Sequence, residues 1–140
     1  MEKFINELNI KEWNIGDKFY WITNEFGIIS KFNGIITEEY TDHLIGVVGV
    51  DKDISVWIDN TLMDDSNRFI RVINDDIKDD IYIQVEDIKS IGELKIQKSY
   101  EVNKHNNIKS YITYDVCNMD GDIIHSLDTL EKAMQYADRF

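Results

Sequence analysis

From Lys18 onward, short runs of β-branched and aromatic residues alternate with short polar breaks, a spacing that suits strands joined by tight turns. Residues 18–23 predict a first strand, Asn24-Glu25-Phe26-Gly27 a turn, and residues 28–32 the returning strand. Asn33-Gly34 follows at once. Both residue types tolerate positive φ in a type I′ turn, so the pair predicts a second hairpin, with a third strand over residues 35–37. A polar loop over 38–43 leads to a fourth strand at 44–50, a turn at Asp51-Lys52-Asp53 and a fifth strand at 54–58. Residues 68–73 end this half as a further strand.

The second half opens with a polar, acidic stretch at 74–80, read as an exposed loop, and a strand at 81–85. Residues 86–91 suit a helical turn, 95–102 alternate weakly as a strand, and 103–107 form a polar loop. A strand at 111–117, a turn at Asp120-Gly121 and a strand at 123–125 predict a hairpin. Leu130, Ala133, Met134 and Ala137 then follow helical spacing, with Asp128 as N-cap and Glu131 reaching back to it. At the other terminus, Phe4, Ile5 and Leu8 suit a short amphipathic cap on the core. The expected fold class is α+β: a bent antiparallel β-sheet or small β-barrel with a C-terminal β-hairpin and helix. A single domain over 1–140 is expected, with possible sub-units at 1–73 (barrel-like) and 81–140 (sheet plus helix).

Composition agrees with a folded chain: 43% of the 140 residues are hydrophobic and 11% aromatic. No apolar run approaches the roughly 20 residues of a membrane span, and Met1-Glu2-Lys3-Phe4 does not open a cleavable signal, so a cytoplasmic location is expected. The absence of proline, the two alanines and the load of Ile, Asn, Lys and Asp reflect A/T-rich codons and hence a low-GC source. The single cysteine, Cys117, excludes an internal disulfide. It lies in a strand with no neighbouring base, which favours a buried, inert thiol.

Motif chemistry is thin. His43, His105 and His125 are too far apart in sequence for a zinc pattern, and Asn118-Met119-Asp120-Gly121-Asp122 lacks the closing acid of a calcium loop. The seven glycines build no phosphate-binding loop. No metal or cofactor is expected, and with 27 acids a catalytic carboxylate pair carries no signal, so the chain reads as non-enzymatic. Trp13, Phe19, Tyr20, Trp21 and Trp57 suit a core better than a stacking surface.

Charge is distributed unevenly. Residues 51–87 hold eleven acids against four bases, a net of −7 out of −12, whereas residues 88–110 hold five lysines against Glu93 and Glu101, a net of +3. Such a field repels nucleic acid from most of the surface and speeds encounter with a basic partner. Solubility alone is the competing explanation, although the doublets Asp64-Asp65, Asp75-Asp76 and Asp79-Asp80 cost self-repulsion. The expected partner is a basic protein that handles nucleic acid, with no direct nucleic-acid or membrane binding. The expected contact residues are Asp64, Asp65, Asp75, Asp76, Asp79, Asp80, Glu86 and Asp87, with Tyr82 and Phe69 as rim anchors.

Two stretches resemble segments frequent in small proteins of phages and other mobile elements: Gly16-Asp17-Lys18-Phe19-Tyr20-Trp21-Ile22 with Gly27-Ile28-Ile29, and Tyr114-Asp115-Val116 with Asp120-Gly121 and Leu127 to Ala133. The resemblance covers under half of the chain and implies no catalytic residues. It implies inhibitors of host defence of the anti-CRISPR or anti-restriction type, some of which mimic DNA with rows of carboxylates. The basic segment 88–110 departs from a uniform phosphate-like face. An immunity protein against a toxin nuclease, a phage structural or assembly component and an uncharacterised enzyme are the alternatives.

Overall fold

The computed structural model describes residues 12–59, 66–72 and 79–139. Its elements are β1 (Lys18–Glu25), β2 (Ile28–Glu39), β3 (Leu44–Val48), β4 (Ile54–Ile58), β5 (Asn67–Arg71), β6 (Ile81–Ile91), β7 (Leu94–Asn103), β8 (Lys109–Cys117), β9 (Ile123–Leu127) and α1 (Leu130–Ala137). They build two antiparallel sheets, in the order β4-β3-β2-β1-β5 and β6-β7-β8-β9. A parallel bridge from Val72 to Ile83 joins the sheets at one side, and β2 meets β9 at another. The described residues are therefore mostly antiparallel sheet with a C-terminal helix, and among them the two sheets do not close into a barrel.

The turn chemistry of the first hairpin holds, since Phe26 and Gly27 both take positive φ (53° and 81°). Asn33-Gly34 does not turn. Both residues lie inside the 12-residue strand β2, which absorbs the expected third strand. A Cβ on Gly34 would meet the Val47 carbonyl at 2.3 Å and the Phe19 ring at 2.9 Å, and one on Gly46 would meet the same ring at 2.6 Å. The two glycines thus clear space for Phe19, which has no exposed surface. Asn33 reaches the other sheet instead: its Nδ2 donates to the Gly121 carbonyl (3.1 Å) and its Oδ1 accepts from the Ile123 amide (2.8 Å).

Residues 86–91 are not a helical turn but the second half of β6, whose pairing with β7 runs through to Ile91 opposite Leu94. A bulge between Asp87 and Lys89 breaks the alternation there, which removes the period-2 signature from the sequence. The helix begins one residue later than the cap pattern predicts. Thr129, with extended backbone, is the N-cap and accepts from the Lys132 amide (3.2 Å), while Asp128 pairs with the Lys132 ammonium. The expected N-terminal cap at Phe4, Ile5 and Leu8 lies outside the described residues, as does Ile73.

Three clusters hold the structure. Tyr20, Ile22 and Ile70 of the first sheet meet Ile83, Cys117 and Ile123 of the second. On the opposite face of the first sheet, Trp13 closes over Phe19, Ile36, Leu44, Ile58 and Phe69. The adjacent residues Phe19 and Tyr20 are both buried because β1 is covered on both faces. Ala133 and Ala137 bring α1 onto Ile96 and Val116, and their small side chains allow close approach.

Candidate functional site

A polar seam lies between the sheets. Lys31 of β2 donates to the Ser99 carbonyl and hydroxyl, both at 2.9 Å. Ser99 donates in turn to Asp115, whose other oxygen accepts from Thr113 at 2.7 Å. Beside them Arg68 of β5 forks onto Glu101 of β7 at 3.1 and 2.6 Å, with its guanidinium 5.4 Å from the Tyr111 ring centre. Two cations thus face two carboxylates, as buried charge requires. Burial lowers Lys31 to about 8, against the opposing pull of Asp115 and Glu101. It raises Tyr20 well above the usual phenol value and pushes the Cys117 thiol up to about 12, with Asp115 adding to both. Lys31 and Ser99 have the reach of a base and a nucleophile, but they are 2% and 0% exposed, so substrate has no access. Cys117 is likewise a buried thiol.

Among the described residues, the expected acidic contacts Asp79, Asp80, Glu86 and Asp87 meet different partners. Asp64, Asp65, Asp75 and Asp76 lie outside the described residues. Asp79 is held by Arg71 in a two-point pair (2.7 and 2.6 Å), and Arg71 also binds Asp17 at 3.0 Å and the Glu12 carbonyl at 2.9 Å. Burial opposes that arginine's charge, but the carboxylates outweigh it and hold its proton more tightly. The reading of 74–80 as an exposed loop therefore fails at Asp79. Asp80 is exposed and lies 3.2 Å from His105. Asp87 is exposed and accepts from Gln97, and exposed Glu86 lies opposite Lys98 in the β6–β7 register. Tyr82 is half-buried beneath Lys104. Phe69 is 2% exposed and stacks on Trp21, so it is core and not a rim anchor.

A different acidic feature is assembled at the β4 side of the first sheet. Tyr40 and His43 flank the β2–β3 connection, where the Tyr40 amide donates to the His43 carbonyl at 2.9 Å. Trp57 is brought alongside because β4 pairs with β3 in the register Ile45 to Trp57. The three rings stack, with centroids 4.5 Å (Tyr40–His43) and 3.5 Å (His43–Trp57) apart and nearly parallel planes. Each ring meets its own carboxylate: Tyr40 donates to Glu38 (2.8 Å), His43 Nδ1 to Asp42 (2.6 Å) and Trp57 Nε1 to Asp59 (2.6 Å). The first bond raises the Tyr40 phenol, and the second holds Asp42 below the usual carboxylate range. Tyr40 and Trp57 are each 49% exposed.

No local sequence signal announces this ridge, because its third ring arrives only through strand register. One coarse sign was readable: residues 32–67 contain eight acids and a single lysine, Lys52. That lysine pairs with Asp122 at 2.8 Å, in the turn where Asn118 Oδ1 accepts from the Asp120 and Asp122 amides, so the turn is satisfied internally. Among the described residues no group of His, Cys, Asp and Glu is placed to hold a metal ion, and no helix is long and apolar enough to cross a membrane. The chain matches no family model, and no curated protein or solved structure matches it significantly.

Proposed function

We propose that this is a non-enzymatic binding protein that inhibits a basic, nucleic-acid-handling partner protein through the acidic, aromatic ridge around Tyr40, His43 and Trp57. The observation that carries the reading is the stack itself. Three stacked rings are each hydrogen-bonded to a carboxylate at a partly exposed edge of the first sheet. An arginine on the partner can stack on an exposed ring face while its N–H groups meet a carboxylate, a pairing that charge alone would not specify. Closure of the Lys31–Ser99 pair supports a binding role over catalysis. The weak resemblance to mobile-element inhibitors points the same way.

The test is quantitative capture from the native host's lysate, comparing wild type with Trp57→Ala and with a control, Glu25→Gln, at the far hairpin. The expected result is a stoichiometric basic nuclease or nucleic-acid-binding effector, inhibited on binding, whose recovery falls at least tenfold for Trp57→Ala and is unchanged for the control. Equal recovery with both variants, or turnover of a substrate with no partner, would remove the reading.

A further inference from the structure

The second sheet carries the opposite chemistry on the face turned away from the buried seam. The register aligns Gln84 with Tyr100 and Glu86 with Lys98 across β6 and β7, and Lys98 with Tyr114 across β7 and β8. The helix covers the end of this face where Ile96 and Val116 meet Ala133 and Ala137. Beyond it, Lys98 lies 5.8 Å from the Tyr100 ring centre and 5.9 Å from that of Tyr114. Lys109 lies 5.0 Å from Tyr100, and Lys104 5.5 Å from Tyr82. Three ammonium groups thus stand over three tyrosine rings, and all three lysines belong to the segment 88–110, whose net charge is +3. Lys104 and Lys109 are exposed, Lys98, Tyr82 and Tyr114 are half-buried, and Tyr100 is buried at the base of the face. Glu86, opposite Lys98 in the register, is the nearby carboxylate, and burial together with its charge raises the Tyr100 phenol.

We propose that this lysine–tyrosine face binds a short single-stranded nucleic acid, with phosphates on Lys98, Lys104 and Lys109 and bases on the half-buried rings of Tyr82 and Tyr114. Each ammonium occupies a ring face that a base stacks on more strongly than an exposed ammonium does. Binding would exchange the two: the base takes the ring and the lysine swings to a phosphate, so both contacts improve together. An acidic protein segment would satisfy the lysines but has no flat rings for the tyrosines. A duplex is disfavoured, since its bases are already stacked and its phosphates meet the repulsion of an overall charge of −12. The site departs from the expectation of no direct nucleic-acid contact because that expectation averages over a charge distribution the fold separates. It stands independently of the ridge on the first sheet.

A fluorescein-labelled eight-nucleotide thymidine oligomer, followed by anisotropy, tests the site in the full chain. With three phosphates neutralised, affinity should fall about tenfold as salt rises from 50 to 150 mM. Lys98→Gln combined with Lys109→Gln should weaken binding at least tenfold and flatten the salt dependence. Tyr82→Leu should weaken it severalfold at unchanged salt slope, and Trp57→Ala should leave it intact. If the double lysine variant loses its thermal transition, Lys104→Gln alone serves, with a loss of about threefold. No binding at 50 mM salt would overturn the proposal. So would binding untouched by Tyr82→Leu, equal binding of duplex, or equal competition by an oligoglutamate.

Discussion

At Glu101 the cost of buried charge is set against its pairing: the carboxylate is 7% exposed and faces Arg68 through two hydrogen bonds. Glu101→Gln leaves the guanidinium uncompensated and should lower unfolding stability by about 3–5 kcal/mol, read from urea midpoints. Replacing both partners together, as Arg68→Met with Glu101→Leu, should cost clearly less, and an equal loss would show that the pair does not act as a unit. Lys31 makes a pH prediction with a definite sign. Its folded value of about 8 lies below the ordinary lysine value of 10.5, so the unfolded chain binds more protons in that interval and stability rises with pH. Between pH 7.5 and 9 Lys31 should contribute a gain of about 1 kcal/mol, from which ionisation of the Cys117 thiol in the unfolded chain already removes about 0.5 kcal/mol, and at higher pH Cys117 and Tyr20 reverse the trend. In Lys31→Met the rise should give way to a shallow fall set by Cys117; a persisting rise would place the titration elsewhere. None of this was legible in the sequence. Lys31, Arg68 and Glu101 each sit at strand positions that read as solvent-facing, and their partners lie 33 to 68 residues away.

At the level of elements, local signals succeeded where one turn settles the matter and failed where pairing does. Phe26-Gly27 and Asp120-Gly121 were readable because positive φ at Gly27 and Gly121 is a local requirement. Asn33-Gly34 shares that composition, yet its glycine serves the approach of Phe19 and its asparagine ties the two sheets. The bulge in β6 hid a strand by the same logic, with contacts from β7 overriding the local period. The terminal helix was readable from its stripe, but its cap was placed one residue early. Thr129→Ala should cost about 1 kcal/mol and exceed the effect of Asp128→Ala, whose ion pair with Lys132 is exposed; the reverse order would restore the aspartate as cap. Deleting the chain from Thr129 onward uncovers Ile96 and Val116 and should abolish the cooperative thermal transition. A truncated protein melting near the original temperature would show that α1 is dispensable.

Across the whole molecule, the fold divides what the linear charge map shows as blocks. The acidic block around 51–87 loses Asp79 to Arg71, and its Glu86 and Tyr82 end up beside lysines on the second sheet. Carboxylates and stacked rings gather instead at the β4 side of the first sheet. The uneven charge was therefore legible and its address was not, since the address depends on the register of β3 with β4. The most direct test of the ridge is the partner's affinity as a function of salt for two threefold neutralisations. The first set is Glu38→Gln, Asp42→Asn and Asp59→Asn; the second is Asp75, Asp76 and Asp80, each to Asn, with Asp79 left in its pair with Arg71. Both remove the same charge, so long-range effects cancel in the comparison. The ridge set should weaken binding by tenfold or more, with the deficit shrinking as salt rises, and the second set should weaken it by less than threefold. Equal losses would reduce the account to net charge, and a larger loss from the second set would return the contact to the middle of the chain and contradict the ridge.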